Sequence, residues 1–269
     1  MREAERNLLV RVATAVIGLP VIGLFLYSTD SRWMLLLAGL ACLAAMIEYT
    51  NLTLKGRSLL ERGGVTLIGT GLFLALYLRS DHALAWVMCA LLGVGVLMVP
   101  RASEFPAAAQ RLLAAGFGVF YVGGLLCALP LLHRDVGRAW VLLAIALTFA
   151  NDTGAYFVGR AVGKHKLAPA ISPGKTWEGA FGGLAASLGI AFALRASVLP
   201  ELTWVDAILL GAPAAILGPT GDLLESLLKR SVGAKDSGRL LPGHGGMLDR
   251  VDALLFVGAY VHLYATLLR

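Results

Sequence analysis

The chain has 269 residues, of which 58% are hydrophobic and 15% charged, with a mean hydropathy of +0.76. Soluble domains carry about 25% charged residues, and a water-soluble molecule of this size cannot cover its surface with so few, so the composition excludes a soluble enzyme and indicates a polytopic membrane protein. The formal charge of +6 and pI near 9.4 fit basic cytoplasmic loops and sites for anionic ligands alike. With no basic stripe on a soluble domain, they argue against a nucleic-acid binder.

Crossing the hydrocarbon takes about 20 apolar residues. Nine spans are predicted, at 8–28, 33–50, 64–79, 82–99, 112–132, 139–158, 177–197, 203–224 and 251–268. The fold class is therefore all-α. The first span follows Arg2, Arg6 and Arg11 as a signal peptide would. No small-x-small cleavage site closes it and more spans follow, so it is read as uncleaved. With the N-terminus in the cytoplasm, Arg32, Arg79, Arg134, Arg138, Arg195 and Arg269 fall outside and the rest of the 23 Lys and Arg fall inside, the bias that sets orientation. The C-terminus is then outside. Cys42, Cys89 and Cys127 each stand alone in an apolar stretch and are expected to be small buried hydrophobes, without disulfide or zinc.

Two regions differ in texture. Residues 1–140, about five spans, hold little intramembrane polarity apart from Glu48; residues 141–269, about four spans, add polar groups and basic cytoplasmic loops at 159–176 and 229–250. Polar groups inside a bilayer are costly and point to function. "NDTGAYFVGR" (151–160) places Asp152 near the inner end of its helix. In "GKHKLAPAISPGKTWEG" (163–179), Lys164, Lys166 and Lys175 suit phosphate oxygens, Ser172-Pro173-Gly174 suits a turn, and Thr176 suits the cap of the next helix, whose N-terminus favours anions. "PGKT" falls short of a P-loop, because Pro169 stands where the first glycine is needed. In "GDLLESLLKR" (221–230), Asp222, Glu225, Ser226 and Lys229 share one helical face, as expected of a stripe lining a wet cavity. "PGHGG" (242–246) supplies glycines for close backbone approach to phosphates, and Asp249 and Asp252 open the last span around Arg250. Carboxylates hold hard cations such as Mg²⁺, and lysines, arginines and glycine N–H groups hold phosphate. Together these residues indicate metal-bound phosphate chemistry beside a bilayer.

The run "SLLKRSVGAKDSGRLLPGHGGMLDRVD" (226–252) resembles the signature of the CTP:phosphatidate cytidylyltransferases, through Ser226, Lys229, Arg230, Lys235, Asp236, Pro242, His244, Gly245, Gly246, Asp249, Arg250 and Asp252. The motif resemblance spans roughly residues 148–252; the first 140 residues share only their apolar texture. The resemblance implies a dimeric membrane enzyme that converts CTP and phosphatidate to CDP-diacylglycerol and pyrophosphate with Mg²⁺, and with K⁺ as a second cation. It also implies that Asp222 and Asp249 hold the cation. Lys175, Lys229, Arg230, Lys235 and Arg250 are then expected to bind triphosphate or lipid phosphate. Gly245 and Gly246 would let the loop approach, and Ser226 and His244 would bond phosphate or metal-bound water. Asp152, Glu178, Asp236 and Asp252 would orient the lysines. The lipid phosphate is itself the nucleophile, so catalysis is positioning and charge neutralisation. A CTP-dependent polyprenol kinase, or a cytidylyltransferase for another lipid phosphate, would share the nucleotide site. An anion transporter would explain intramembrane charge, but not carboxylates and glycines crowded on one loop.

Overall fold

The computed structural model describes residues 23, 28, 30–99, 105–238 and 245–269. All of the predicted span 8–28 but residues 23 and 28, and His244, lie outside them. Eight helical segments in the described residues are long and apolar enough to cross a membrane, and the chain is a polytopic, essentially all-α membrane protein. In chain order the helices are α1 (Ser31–Thr53), α2 (Leu59–Leu78), α3 (Ala83–Met98), α4 (Phe105–Gly118), α5 (Ala128–Asp135), α6 (Arg138–Val162), α7 (Trp177–Ser197), α8 (Trp204–Ser231) and α9 (Leu248–Leu263). A π turn, Val119–Gly124, carries α4 towards α5 within one 31-residue apolar segment.

The sequence reading differs from the structure at several points, among them the following. Residues 166–176 form an antiparallel hairpin of β1 (Lys166–Ala168) and β2 (Ser172–Thr176), pairing Lys166 with Thr176 and Ala168 with Ser172. The reversal is therefore at 169–171, and Ser172-Pro173-Gly174 is strand rather than turn. Proline is tolerated there because an edge strand need not donate at every position. Helix α8 runs seven residues past its predicted end at 224, because its charged residues pair within the protein rather than stopping the helix. Helix α2 starts five residues early, where Ser58 and Glu61 form a reciprocal cap. Cys89 is exposed, while Cys42 and Cys127 are buried.

The chain forms two compact units, one running to Pro130 and taking in Val232–Arg250, the other made of Leu131–Ser231 and Val251–Arg269. In the first, buried Met46, Tyr49 and Phe73 make the core. Tyr49 Oη donates to the Ala114 carbonyl at 2.7 Å, and its ring lies where a side chain on Gly118 would stand. The second unit is built on small residues, the usual means of bringing membrane helices close. A Cβ on Gly154 would lie 2.6 Å from the Gly182 carbonyl, and one on Gly179 would lie 2.8 Å from that of Ala155, so α6 and α7 touch backbone to backbone. The hairpin closes this corner: Thr176 Oγ1 accepts from Gly179 N at 3.1 Å, the cap expected from the sequence.

Candidate active site

In the second unit α6, the hairpin, α7 and α8 enclose a cavity of about 600 Å³ lined by Asp152, Tyr156, Arg160, Lys175, Thr176, Pro219 and Asp222 among others. Its polar residues come from separate elements, each fixed locally. Asp152 is one helical position beyond buried Asn151 on α6. Lys175 is held on β2, one residue before the cap of α7. Its ammonium lies 2.8 Å from Asp222 Oδ2 and 3.1 Å from the Pro219 carbonyl. Asp222 also accepts from Ser226 Oγ at 3.3 Å, one turn on, as the shared helical face requires.

Asp222 faces two further carboxylates. Asp222, Glu225 and Asp252 each place an oxygen within 4.8 Å of the others. Asp252 reaches the group because α8 and α9 meet at Gly221, where a Cβ would be 2.4 Å from the Asp252 carbonyl. Glu225 is only 1% exposed and pairs with the Lys229 ammonium four residues on. Lys175 and Lys229 thus set two ammonium groups against three carboxyl groups.

The donor set fits a hard divalent cation: it is all oxygen, with one oxygen from each carboxyl group within 4.8 Å of the others. Sequence reasoning put Glu225 on the stripe but did not count it as a ligand. The signal it missed was the pairing of Asp222 with Asp252 across the Gly221 contact. Arg160 and Tyr156 were likewise not singled out; the Arg160 guanidinium donates to Tyr156 Oη at 2.7 Å at the cavity wall.

Asp249 belongs to the first unit. Its Oδ2 accepts from Ser237 Oγ at 2.8 Å, Gly246 N at 2.9 Å and Ser237 N at 3.1 Å. Gly245 turns the chain here with φ +79°, a conformation glycine adopts without strain. Lys235, Asp236 and Arg250 of this unit are exposed, as is Arg230 of the second. Glu178 accepts from the backbone N–H groups of Lys164 at 3.1 Å and His165 at 3.2 Å, and lies 2.6 Å from His165 Nδ1. It orients the backbone at Lys164 and braces the entrance to the hairpin.

A profile of the cytidylyltransferase family matches residues 9–268. The chain is 37% identical to a phosphatidate cytidylyltransferase of Brucella suis biovar 1 (strain 1330), over 97% of this chain and 94% of that protein. It is 32% identical to a phosphatidate cytidylyltransferase of Haemophilus influenzae, over 91% and 93% of the two chains. A shorter match, 38% identical over 59% of this chain and 46% of the relative, is to phosphatidate cytidylyltransferase 5, chloroplastic, of Arabidopsis thaliana.

Proposed function

The chain belongs to the cytidylyltransferase family, and from that premise we propose that it joins CTP to phosphatidate, giving CDP-diacylglycerol and pyrophosphate. An oxygen of the lipid phosphate bonds to the α-phosphorus of CTP, the bond from that phosphorus to the β-phosphate bridge breaks, and pyrophosphate leaves with the electron pair. The observation that carries the reading is the Lys175–Asp222 pair in the cavity wall, 2.8 Å apart, with Glu225 and Asp252 beside Asp222. Such a site gathers anionic phosphates without presenting a nucleophile of its own.

Lys175 and Lys229 hold phosphate oxygens once the carboxylates they now neutralise are engaged elsewhere. Asp222, Glu225 and Asp252 hold Mg²⁺, and the resemblance assigns Asp249 to cation binding as well, with K⁺ as a second cation. Bound there, a divalent cation neutralises phosphate charge and stabilises the departing pyrophosphate. Ser226 keeps Asp222 oriented. Asp152 faces the substrate from the cavity wall. Arg230, Lys235 and Arg250 bind triphosphate or headgroup from exposed positions; Asp236 and His244 remain site residues by resemblance. The distribution of basic residues supports nine spans with a cytoplasmic N-terminus, an outer C-terminus and a site open to the cytoplasm. The homodimer is part of the same proposal.

The test is transfer of α-³²P from CTP to phosphatidate by the full chain in detergent with Mg²⁺. Labelled lipid that depends on phosphatidate and is lost in Asp222→Asn is the expected result. Label entering lipid only from γ-³²P-CTP would replace the reading with a lipid kinase, and no labelled lipid from either nucleotide would overturn it.

A further inference from the structure

Glu48 lies on α1 among apolar and small neighbours, 7% exposed, and no step above uses it. A carboxylate buried in a spanning helix is costly and is kept for a reason. Its Oε2 accepts from Leu248 N at 2.9 Å and from Ser237 Oγ at 3.3 Å, across 200 and 189 positions of sequence. Leu248 is the first residue of α9, so this bond satisfies one of the N–H groups that a helix start leaves without an intrahelical partner. Its charge also meets the positive end of the helix. The residue before the helix is Met247, which has no capping side chain, and the cap comes from α1 instead.

The second bond leads to Asp249. Ser237 has one hydroxyl proton; the 2.8 Å contact to Asp249 Oδ2 is the stronger branch and the 3.3 Å contact to Glu48 the weaker. Glycines complete the enclosure. A Cβ on Gly238 would stand 2.3 Å from Glu48 Oε1, and one on Gly246 would stand 2.5 Å from Oε2. Glu48 therefore meets this segment at Ser237, Gly238, Gly246 and Leu248, the residues around Asp249. A helix cap alone would need only the Leu248 bond.

We propose that Glu48 is a positioning residue: it fixes the glycine turn and, through Ser237, the carboxylate of Asp249 in the geometry that cytidylyl transfer uses. This rests on the transferase reading of Asp249 given above. It gives the N-terminal helices a part in the chemistry beyond anchoring the chain.

The experiment uses the full chain in detergent, with Glu48→Ala and Glu48→Gln. Label transfer is normalised to folded protein, and hydrogen exchange is read by mass spectrometry over 237–249. In Glu48→Ala, kcat is expected to fall about tenfold or more while KM for CTP stays within about threefold. Exchange over 237–249 rises about tenfold with the rest of the chain unchanged. Glu48→Gln recovers most of kcat, because its amide oxygen still accepts from Leu248 N. Unchanged kcat per folded molecule in Glu48→Ala, or unchanged exchange in that segment, overturns the proposal. An inactive wild-type protein overturns the transferase reading instead, and the exchange result still decides whether Glu48 fixes the turn. Should Glu48→Ala fail to fold, Gly238→Ala carries the test, since it crowds the same carboxylate without removing it. Displacing the carboxylate from Leu248 N and Ser237 Oγ in this way is expected to lower kcat about tenfold and to raise exchange over 237–249, as in Glu48→Ala. A Gly238→Ala variant with unchanged kcat per folded molecule, or with unchanged exchange over 237–249, overturns the proposal.

Discussion

Gly221 and Asp252 meet backbone to backbone: a Cβ on Gly221 would lie 2.4 Å from the Asp252 carbonyl oxygen and 3.1 Å from its carbon. That contact brings α9 close enough to α8 for the Asp252 carboxylate to join those of Asp222 and Glu225. The glycine beside the first carboxylate is thus part of the site, although it binds nothing.

Gly221→Ala is expected to push α9 off α8, since the obstacle is backbone and cannot rotate away. Overpacking of this kind costs about 1–3 kcal/mol. Transfer of label from CTP to lipid should fall about tenfold or more, with a lowered melting temperature in detergent. A variant as active as the parent would show that the three carboxylates need not be held together.

Much of this was legible in the sequence, for reasons that also explain what was not. Helix α7 was predicted at 177–197, its bounds in the structure, because Thr176 is a strong N-cap and the residues before it cannot continue a helix. The stripe of Asp222, Glu225, Ser226 and Lys229 followed from helical spacing, and the Ser226–Asp222 and Lys229–Glu225 contacts bear it out. The hairpin was missed because strands of three and five residues are too short to show an alternating pattern. Glu48 was noticed only as an odd polar group: its partners lie 189 and 200 positions away, and no local pattern announces such a bond. The Gly221–Asp252 contact was hidden for the same reason.

Glu225 and Lys229 can be separated into structural and chemical parts. Glu225 is 1% exposed at its side chain and Lys229 13%, so removing one partner leaves a buried charge. Glu225→Gln alone should destabilise the protein by about 3–5 kcal/mol. Replacing both residues, Glu225→Gln with Lys229→Met, should restore most of the melting temperature, because a buried pair exchanged for apolar and neutral groups is often tolerated. Transfer should stay abolished in both. Recovered activity in the double variant would make the pair a packing device.

Glu178 makes a prediction about order rather than catalysis. Its carboxylate gathers the N–H groups of Lys164 and His165 together with the imidazole of His165. Glu178→Ala removes all three acceptor contacts at the entrance to the hairpin. Trypsin should then cut after Lys164 and Lys166 about tenfold faster or more, while α7 persists because Thr176 still caps it. Cleavage at the parental rate would mean that the hairpin is held by its own ladder and its packing alone.

Metal dependence tests the acidic cluster most directly. Three carboxyl groups, Asp222, Glu225 and Asp252, converge beside two ammonium groups, Lys175 and Lys229, an all-oxygen donor set suited to a divalent cation. Chelation with EDTA is expected to abolish transfer, and added Mg²⁺ to restore it. Asp252→Asn keeps the size of the side chain and its acceptor oxygen towards Ala253 N, now at 2.8 Å, but removes one charge. Loss of an outer-shell partner alone typically costs about 10–100-fold in metal affinity, so with a ligand neutralised the Mg²⁺ concentration for half-maximal activity should rise by at least that order while the maximal rate recovers at saturating Mg²⁺. Asp222→Asn removes a ligand that also holds Lys175, and saturating Mg²⁺ should not rescue it. If the two variants show the same Mg²⁺ response, Asp222 has no duty beyond the cation; if neither shifts it, the cation is held elsewhere in the protein.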